Sequence, residues 1–281
     1  MVNSRLEALS RDRARLENPY AHLEQLEEIE LGQAAPVVDV KPMATQHKGR
    51  ARKAVVRSAF VTQEAARIQR ALWVELLKKS DGARPKDPVV ALDPIAGLNL
   101  LGFQVHMVDG LGQFRDGGRT IDVAGLIDPN SMEVKVASHL AGPVQRFTLA
   151  HELGHACLHD LQGVAHRDRA MDGSQLDVDV WEIEANRFAS HFLMPERLLR
   201  ERFRTQFLAE HFVPTEETIF ALIGAGPEEF SIRFNGLRAL SLFLANTRTF
   251  NGRNFASLAQ QFGVSGLAMA IRLEELSLVR T

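Results

Sequence analysis

The sequence predicts an α+β fold: a small mixed or antiparallel sheet beside a pair of helices, with a helical region towards the C-terminus. Three observations carry this prediction. The order of patterned segments is helix, helix, three short strands, then helices again. A strong turn signal, Asp128-Pro-Asn-Ser131, sits between two strand-like runs. The chain has 281 residues, 45% of them apolar, enough for a core without disulfides.

Taken in order, residues 1–60 read as a charged N-terminal extension, partly disordered. Glu24, Glu27, Glu28 and Glu30 make an acidic helix-like stretch, and Gly32 to Pro42 reads as a linker. Nine basic residues fall between Lys48 and Lys79, against two acids, Glu64 and Glu75. This run reads first as a solvated helix face plus a mobile arm, and second as a contact for nucleic acid or an acidic partner. Val61, Ala65, Ile68, Leu72 and Leu76 recur at helical spacing, so an amphipathic helix is expected over about 62–79, stopped by Ser80-Asp81-Gly82. Asp93-Pro94 reads as an N-cap followed by proline at the first helical position, and that short helix should end at Gly102. Phe103 to Val108 alternates as a strand does. Val123 to Ile127 and Met132 to Val136 flank the turn and form a hairpin. Pro143 opens a helix to about Leu161, and a polar, acidic loop leads to another helix over about 179–194.

Charged residues are 24% of the chain and the net charge is −2, which excludes a mainly disordered chain and a whole-chain basic footprint for nucleic acid. The lone cysteine, Cys157, excludes an intrachain disulfide and a cysteine-rich zinc cluster. The first twenty residues are charged throughout and lack the apolar stretch of a secretory signal, and no apolar run approaches the ~20 residues that span a bilayer. The expectation is a cytoplasmic protein with no membrane partner.

The chemistry centres on His151-Glu152-Leu153-Gly154-His155, an H-E-x-x-H motif. Residues four apart on a helix share a face, so both imidazoles can bind one zinc ion, with Glu152 placed as general base for the water on that metal. Such a motif arises by accident in about one chain in a hundred of this length. Here it lies on a helix whose back face is apolar: Phe147, Ala150, Leu153 and Leu158. A catalytic zinc takes three protein ligands and keeps one open position. The segment from Trp181 to Ala189 offers the third ligand. Ala185, Phe188, Ala189 and Phe192 define its buried face, while Glu182 and Asn186 lie four apart on another. That pair suits a glutamate ligand and an amide that orients one ligand histidine. Glu184 points about 200° from Glu182, so both cannot be ligands. Glu182 is the favoured ligand, with Glu184, Asp177 and Asp179 as alternatives.

The motifs together resemble a known family. Gln145 to His155 with Leu158-His159, then Glu182 to Ala189, then Phe192-Leu-Met-Pro195, are similar to the ImmA/IrrE metallopeptidases. Leu258 to Ser265, continued by Ile271 to Leu276, resembles the helical segment that ends many of them. The resemblance implies a compact zincin fold over 61–201 and a helical C-terminal region over 202–281 ending in a helix-turn-helix-like segment. It implies that His151, His155 and Glu182 bind Zn2+ and that Glu152 is the base. It also implies a protein substrate, a DNA-binding repressor of the helix-turn-helix type, and so a role in stress or mobile-element regulation. Residues 205–253 depart from the pattern as an insertion-like stretch with no function assigned.

Other residues receive plainer readings. His159 reads as a helix-end histidine near the negative end of the dipole, and Cys157 as a small core residue. His166 and His191 are distant candidates for the cleft. Tyr20, the single tyrosine, lies in the N-terminal extension, so the residue that stabilises the oxyanion stays open. Between Gly266 and Leu276 the one base is Arg272, against Glu274 and Glu275. Packing or substrate docking is therefore the reading there, rather than direct nucleic-acid binding. The principal expectation is a zinc endopeptidase, its substrate extended along the edge of the small sheet. The alternative is a non-proteolytic zinc-binding regulator that sequesters a repressor or antitoxin.

Overall fold

The structure, a computed structural model, describes residues 57–81, 83–116, 119–161, 166–167 and 180–280. The acidic stretch, the linker, Tyr20, the first four basic residues of the run (Lys48, Arg50, Arg52 and Lys53) and the loop carrying Asp168, Asp172, Asp177 and Asp179 lie outside the described residues.

Helix α1 spans Ser58–Lys79 and buries Val61, Ala65, Ile68 and Leu72, the stripe that the periodicity marks. It ends at Ser80, whose backbone N–H and hydroxyl both donate to Leu76 O, at 3.1 and 2.9 Å. It begins four residues before the expected start, because its first turn is held by a side chain from elsewhere: Glu184 accepts the backbone N–H of Arg57 at 3.0 Å. A carboxylate at a helix N-terminus satisfies an orphan donor and complements the dipole. After a short 3₁₀ turn, Pro88–Ala91, comes α2, Pro94–Leu100, capped by Asp93, whose side chain accepts from Ile95 N. Gly102 follows with φ +91°, a left-handed position that favours glycine and turns the chain into the sheet.

The strands of the main sheet are β1 (Gln104–Val108), β4 (Gly125–Asp128), β5 (Glu133–Ala137) and β6 (His166–Arg167), in the order β1-β5-β4-β6. β1 and β5 are parallel, with Gln104 opposite Glu133; β4 and β5 form the expected hairpin, with Asp128 opposite Glu133. Its turn is fastened by Asp128 Oδ1, which accepts from Asn130 N at 2.9 Å. Ile127, Val134 and Val136 are fully buried under the helices. A separate hairpin joins β2 (Gln113–Asp116) to β3 (Arg119–Asp122).

Helix α3, Gly142–Leu158, buries every residue from Phe147 to His155 and is the central helix of the fold. Helix α4, Val180–Leu193, packs along it and also against α1. Then follow α5 (Glu196–Phe207), α6 (Glu216–Ile223), α7 (Pro227–Arg233), α8 (Leu237–Asn246), the hairpin β7–β8 (Thr249–Phe250 and Arg253–Asn254), α9 (Leu258–Phe262) and α10 (Gly266–Glu275). The fold is thus α+β and mostly helical. One hydrophobic core runs from Val61 to Val279 without a break at residue 201. The helix-turn-helix outline is present as α9, Gly263 with φ +64°, and α10. Its second helix lies in the core: Met269 through Leu273 are buried, and Arg272 donates to Met194 O and pairs with Glu275. No helix among the described residues is long and apolar enough to cross a membrane.

Candidate metal centre

The site is built where α3 and α4 approach most closely. Gly154, inside the H-E-x-x-H motif, permits that approach: a Cβ there would sit 3.0 Å from both Cα and O of Ala185. Backbone meeting backbone at this distance brings Glu182 of α4 over the histidines of α3. The same helix rides on β4. A side chain at Gly125 would run into the Glu152 carboxylate and lie 2.7 Å from Thr148 Cγ2.

His151 and His155 are fully buried, and their Nε2 atoms are 3.0 Å apart. Glu182 places Oε2 3.2 Å from His151 Nε2 and Oε1 3.4 Å from His155 Nε2. The three donor atoms lie within 4.8 Å of one another. Burial opposes charge on Glu182, but hydrogen bonds and charge from His151 and His155 outweigh it and hold its carboxyl far below the usual carboxylate range. Glu152 is also buried, on α3 between the two histidines in sequence and against Gly125.

The outer atoms of the rings are held as well. His151 Nδ1 donates to Asn186 Oδ1 at 2.9 Å, the amide contact expected from the spacing of Glu182 and Asn186. With Nδ1 protonated, the neutral ring carries its lone pair on Nε2, facing the other donors. His155 Nδ1 lies 3.0 Å from His159 Nδ1. The donor set therefore suits a metal of zinc's type: two imidazole nitrogens and one carboxylate, buried and converging, with ring tautomers set from behind.

Two readings of the sequence change here. His159 is not merely a helix-end residue. The helix stops at Leu158, and residue 159 takes extended backbone, φ −119° and ψ 141°, which turns its ring inward to 9% exposure. There it meets His155, approaches Glu184 Oε2 at 3.3 Å, and stacks on Trp181 with 4.8 Å between ring centres. The three histidines at 151, 155 and 159 were the signal available in the sequence. Arg57 is the second addition. No local pattern marks it, since its partner Glu184 lies 127 residues away.

The remaining candidates separate cleanly. Glu184 turns from the trio to Arg57 and His159, as its angle on the helix requires. His191 lies on the α1–α4 seam, with Nδ1 3.1 Å from Thr62 Oγ1; burial and the nearby Arg272 and Arg187 push its pKa down to about 4. Cys157 is half-buried against the core, and burial pushes its thiol up to about 12, so it is a poor nucleophile. The His166 side chain, Asp177 and Asp179 fall outside what is described. In the sheet, β6 pairs with β4 at Leu126 and Ile127, and β1 is the other end of the strand order.

Residues 111–235 match the family model of the IrrE N-terminal-like domain, Peptidase M78. The matched stretch runs from the loop before β2 to just past α7 and contains the histidine pair, Glu152, Glu182 and Asn186. No curated protein matches the chain.

Proposed function

From the premise that residues 111–235 are a domain of the ImmA/IrrE metallopeptidase family, we propose that this chain is a zinc-dependent endopeptidase acting on a protein substrate. The observation that carries the reading is the buried His151–His155–Glu182 trio with Glu152 beside it on the same helix. Bound zinc supplies a Lewis acid and lowers the pKa of water to about 7.

The rest of the chemistry belongs to the chain. His151, His155 and Glu182 hold the ion, and Asn186 fixes the His151 ring. Glu152 takes the proton of the attacking water and returns it to the leaving amide nitrogen. The missing side chain at Gly125 leaves the space that the Glu152 carboxylate occupies, since a Cβ there would run into it. The burial of these residues keeps bulk water out and strengthens each charge interaction. By the family resemblance, the substrate is a DNA-binding repressor of the helix-turn-helix type, cut in an extended segment, with a regulatory role in the cytoplasm.

The experiment uses the full chain, zinc-loaded, with a candidate helix-turn-helix repressor as substrate. Wild type yields two fragments at one bond. Glu152→Gln retains one zinc per chain and cleaves at least about 100-fold more slowly, the scale of a lost general base. Cleavage by Glu152→Gln at the wild-type rate would end the mechanism. Tight repressor binding without fragments, in zinc-replete protein, would favour a sequestering regulator instead.

A further inference from the structure

The two acids of α4 stand two residues apart and face different partners. Glu182 turns to the imidazole pair, whereas Glu184 is gripped by Arg57. The backbone N–H and Nε of Arg57 each donate to Glu184 Oε1 at 3.0 Å, and Nη2 donates to Oε2 at 2.6 Å. Nη2 also reaches the carbonyl of Leu158, the last residue of α3, at 3.3 Å. One side chain therefore joins the entry to α1, the exit of α3 and the first turns of α4. The Arg57 side chain is 51% exposed but the Glu184 carboxylate is 1% exposed and takes three donors from one residue, so its end of the pair is fixed inside the fold.

The consequences run inward through hydrogen-bond logic. An ionised carboxylate can only accept, so His159 Nε2, 3.3 Å from Glu184 Oε2, carries the ring proton. The neutral ring then has its lone pair on Nδ1. That atom, 3.0 Å from His155 Nδ1, accepts the proton of His155. The lone pair of His155 is thereby placed on Nε2, the atom that faces His151 and Glu182. Trp181 lies flat on His159, the planes 7° apart, and opposes rotation of that ring.

We propose that Arg57 is a positioning residue for the metal centre, acting through Glu184 and His159 to fix the tautomer and orientation of His155. This rests on the metal-binding reading of the trio. It extends the site by three residues beyond the ligands, one of which precedes the matched family domain. It also gives the two ligand histidines different supports. His151 leans on a neutral amide, while His155 leans on a chain that ends in an ion pair.

The test measures zinc affinity of the full-length chain by competition with a chelator, and the visible spectrum of the cobalt-loaded protein. Arg57→Ala and Glu184→Gln are each expected to weaken zinc binding by about 10- to 100-fold and to shift the cobalt bands, while the metal-free protein keeps its far-UV circular dichroism. Arg57→Lys restores part of the affinity, since an ammonium offers a point charge without the planar fork. Arg67→Ala, which breaks an exposed pair with Glu64 on the same helix, serves as control and leaves both readouts unchanged. If Arg57→Ala fails to fold, Glu184→Gln and Arg57→Lys decide in the same way. Wild-type affinity and spectrum in Glu184→Gln and in the folded Arg57 variants overturn the proposal. A wild-type protein that binds no zinc overturns the metal reading itself, a result distinct from variants that match a zinc-binding wild type.

Discussion

The helix pair α3–α4 and the helix pair α9–α10 are both short-range motifs written clearly in the sequence and both feed the apolar core, yet only the first also buries a cluster of polar side chains. α3 and α4 enclose Thr148, His151, Glu152, His155, Glu182, Glu184 and Asn186. Along α9 and α10 the buried residues are Leu258, Ala259, Phe262, Met269, Ala270, Ile271, Arg272 and Leu273, and the one charge among them is spent on Met194 O and Glu275. Burying polar groups costs free energy unless each finds a partner, whereas burying a large apolar side chain contributes about 1.5–3 kcal/mol. The first pair thus carries a cost for chemistry on top of its apolar packing, and the second contributes stability alone. A motif that resembles DNA recognition is recast as core once its second helix is buried.

The widest separation between the regions should appear when each loses one central group. Glu182→Gln removes a ligand but little packing. The metal-free protein should melt within a few degrees of wild type, while the stabilisation by zinc disappears, about 4 kcal/mol for wild type at a thousandfold excess over Kd. Leu273→Ala, fully buried in α10, should do the reverse: a loss of about 3 kcal/mol, or roughly 6–12 °C in melting temperature, with zinc affinity unchanged. Calorimetric melts with and without zinc check both. A comparison in which either variant moves both quantities would show that the two regions are not separable.

The glycine at the seam should move both by design. Gly154→Ala sets a methyl against the backbone of Ala185, which cannot rotate away as a side chain can. Separation of α3 from α4 is expected to cost about 2 kcal/mol and to weaken zinc binding together with it, because Glu182 travels with α4. An alanine variant as stable as wild type would mean that the helices slide at no cost.

How much of this was legible in the sequence follows the same divide between local and distant contacts. The H-E-x-x-H spacing, the opposition of Glu182 and Glu184 and the Asp93 cap depend on residues within a helix turn, while the Asn186 contact crosses from α4 to α3 and was signalled by the spacing of Asn186 from Glu182. The α1 start was not legible, because its cap, Glu184, comes from another helix. Nor was the inward turn of His159, which follows from α3 ending three residues early. The β2–β3 hairpin went unassigned although Gly117-Gly118 between short polar runs was a usable signal. Helices α6 and α7 have eight and seven residues, too short for periodicity to speak. The capping box of α6 closes on Thr218, where the usual signal is a glutamate or glutamine.

Ion pairs offer the finest form of the comparison, since the two regions hold chemically equivalent ones. Arg238 grips Glu274 of α10 through Nε and Nη2 at 2.9 Å each, much as Arg57 grips Glu184. Glu274, however, leads to no histidine among the contacts described. Arg238→Met should therefore cost only about 1 kcal/mol, seen as a fall of roughly 2–4 °C in melting temperature, with zinc affinity and the cobalt spectrum of wild type. Equal damage to zinc binding by Arg238→Met and Arg57→Ala would mean that loss of any buried ion pair loosens the fold enough to disturb the site, and the specific route through Glu184 and His159 would lose its support. If Arg238→Met leaves the metal untouched, the same fork-and-carboxylate contact is structural in one region and positions a ligand in the other, and the difference lies wholly in what the carboxylate touches next.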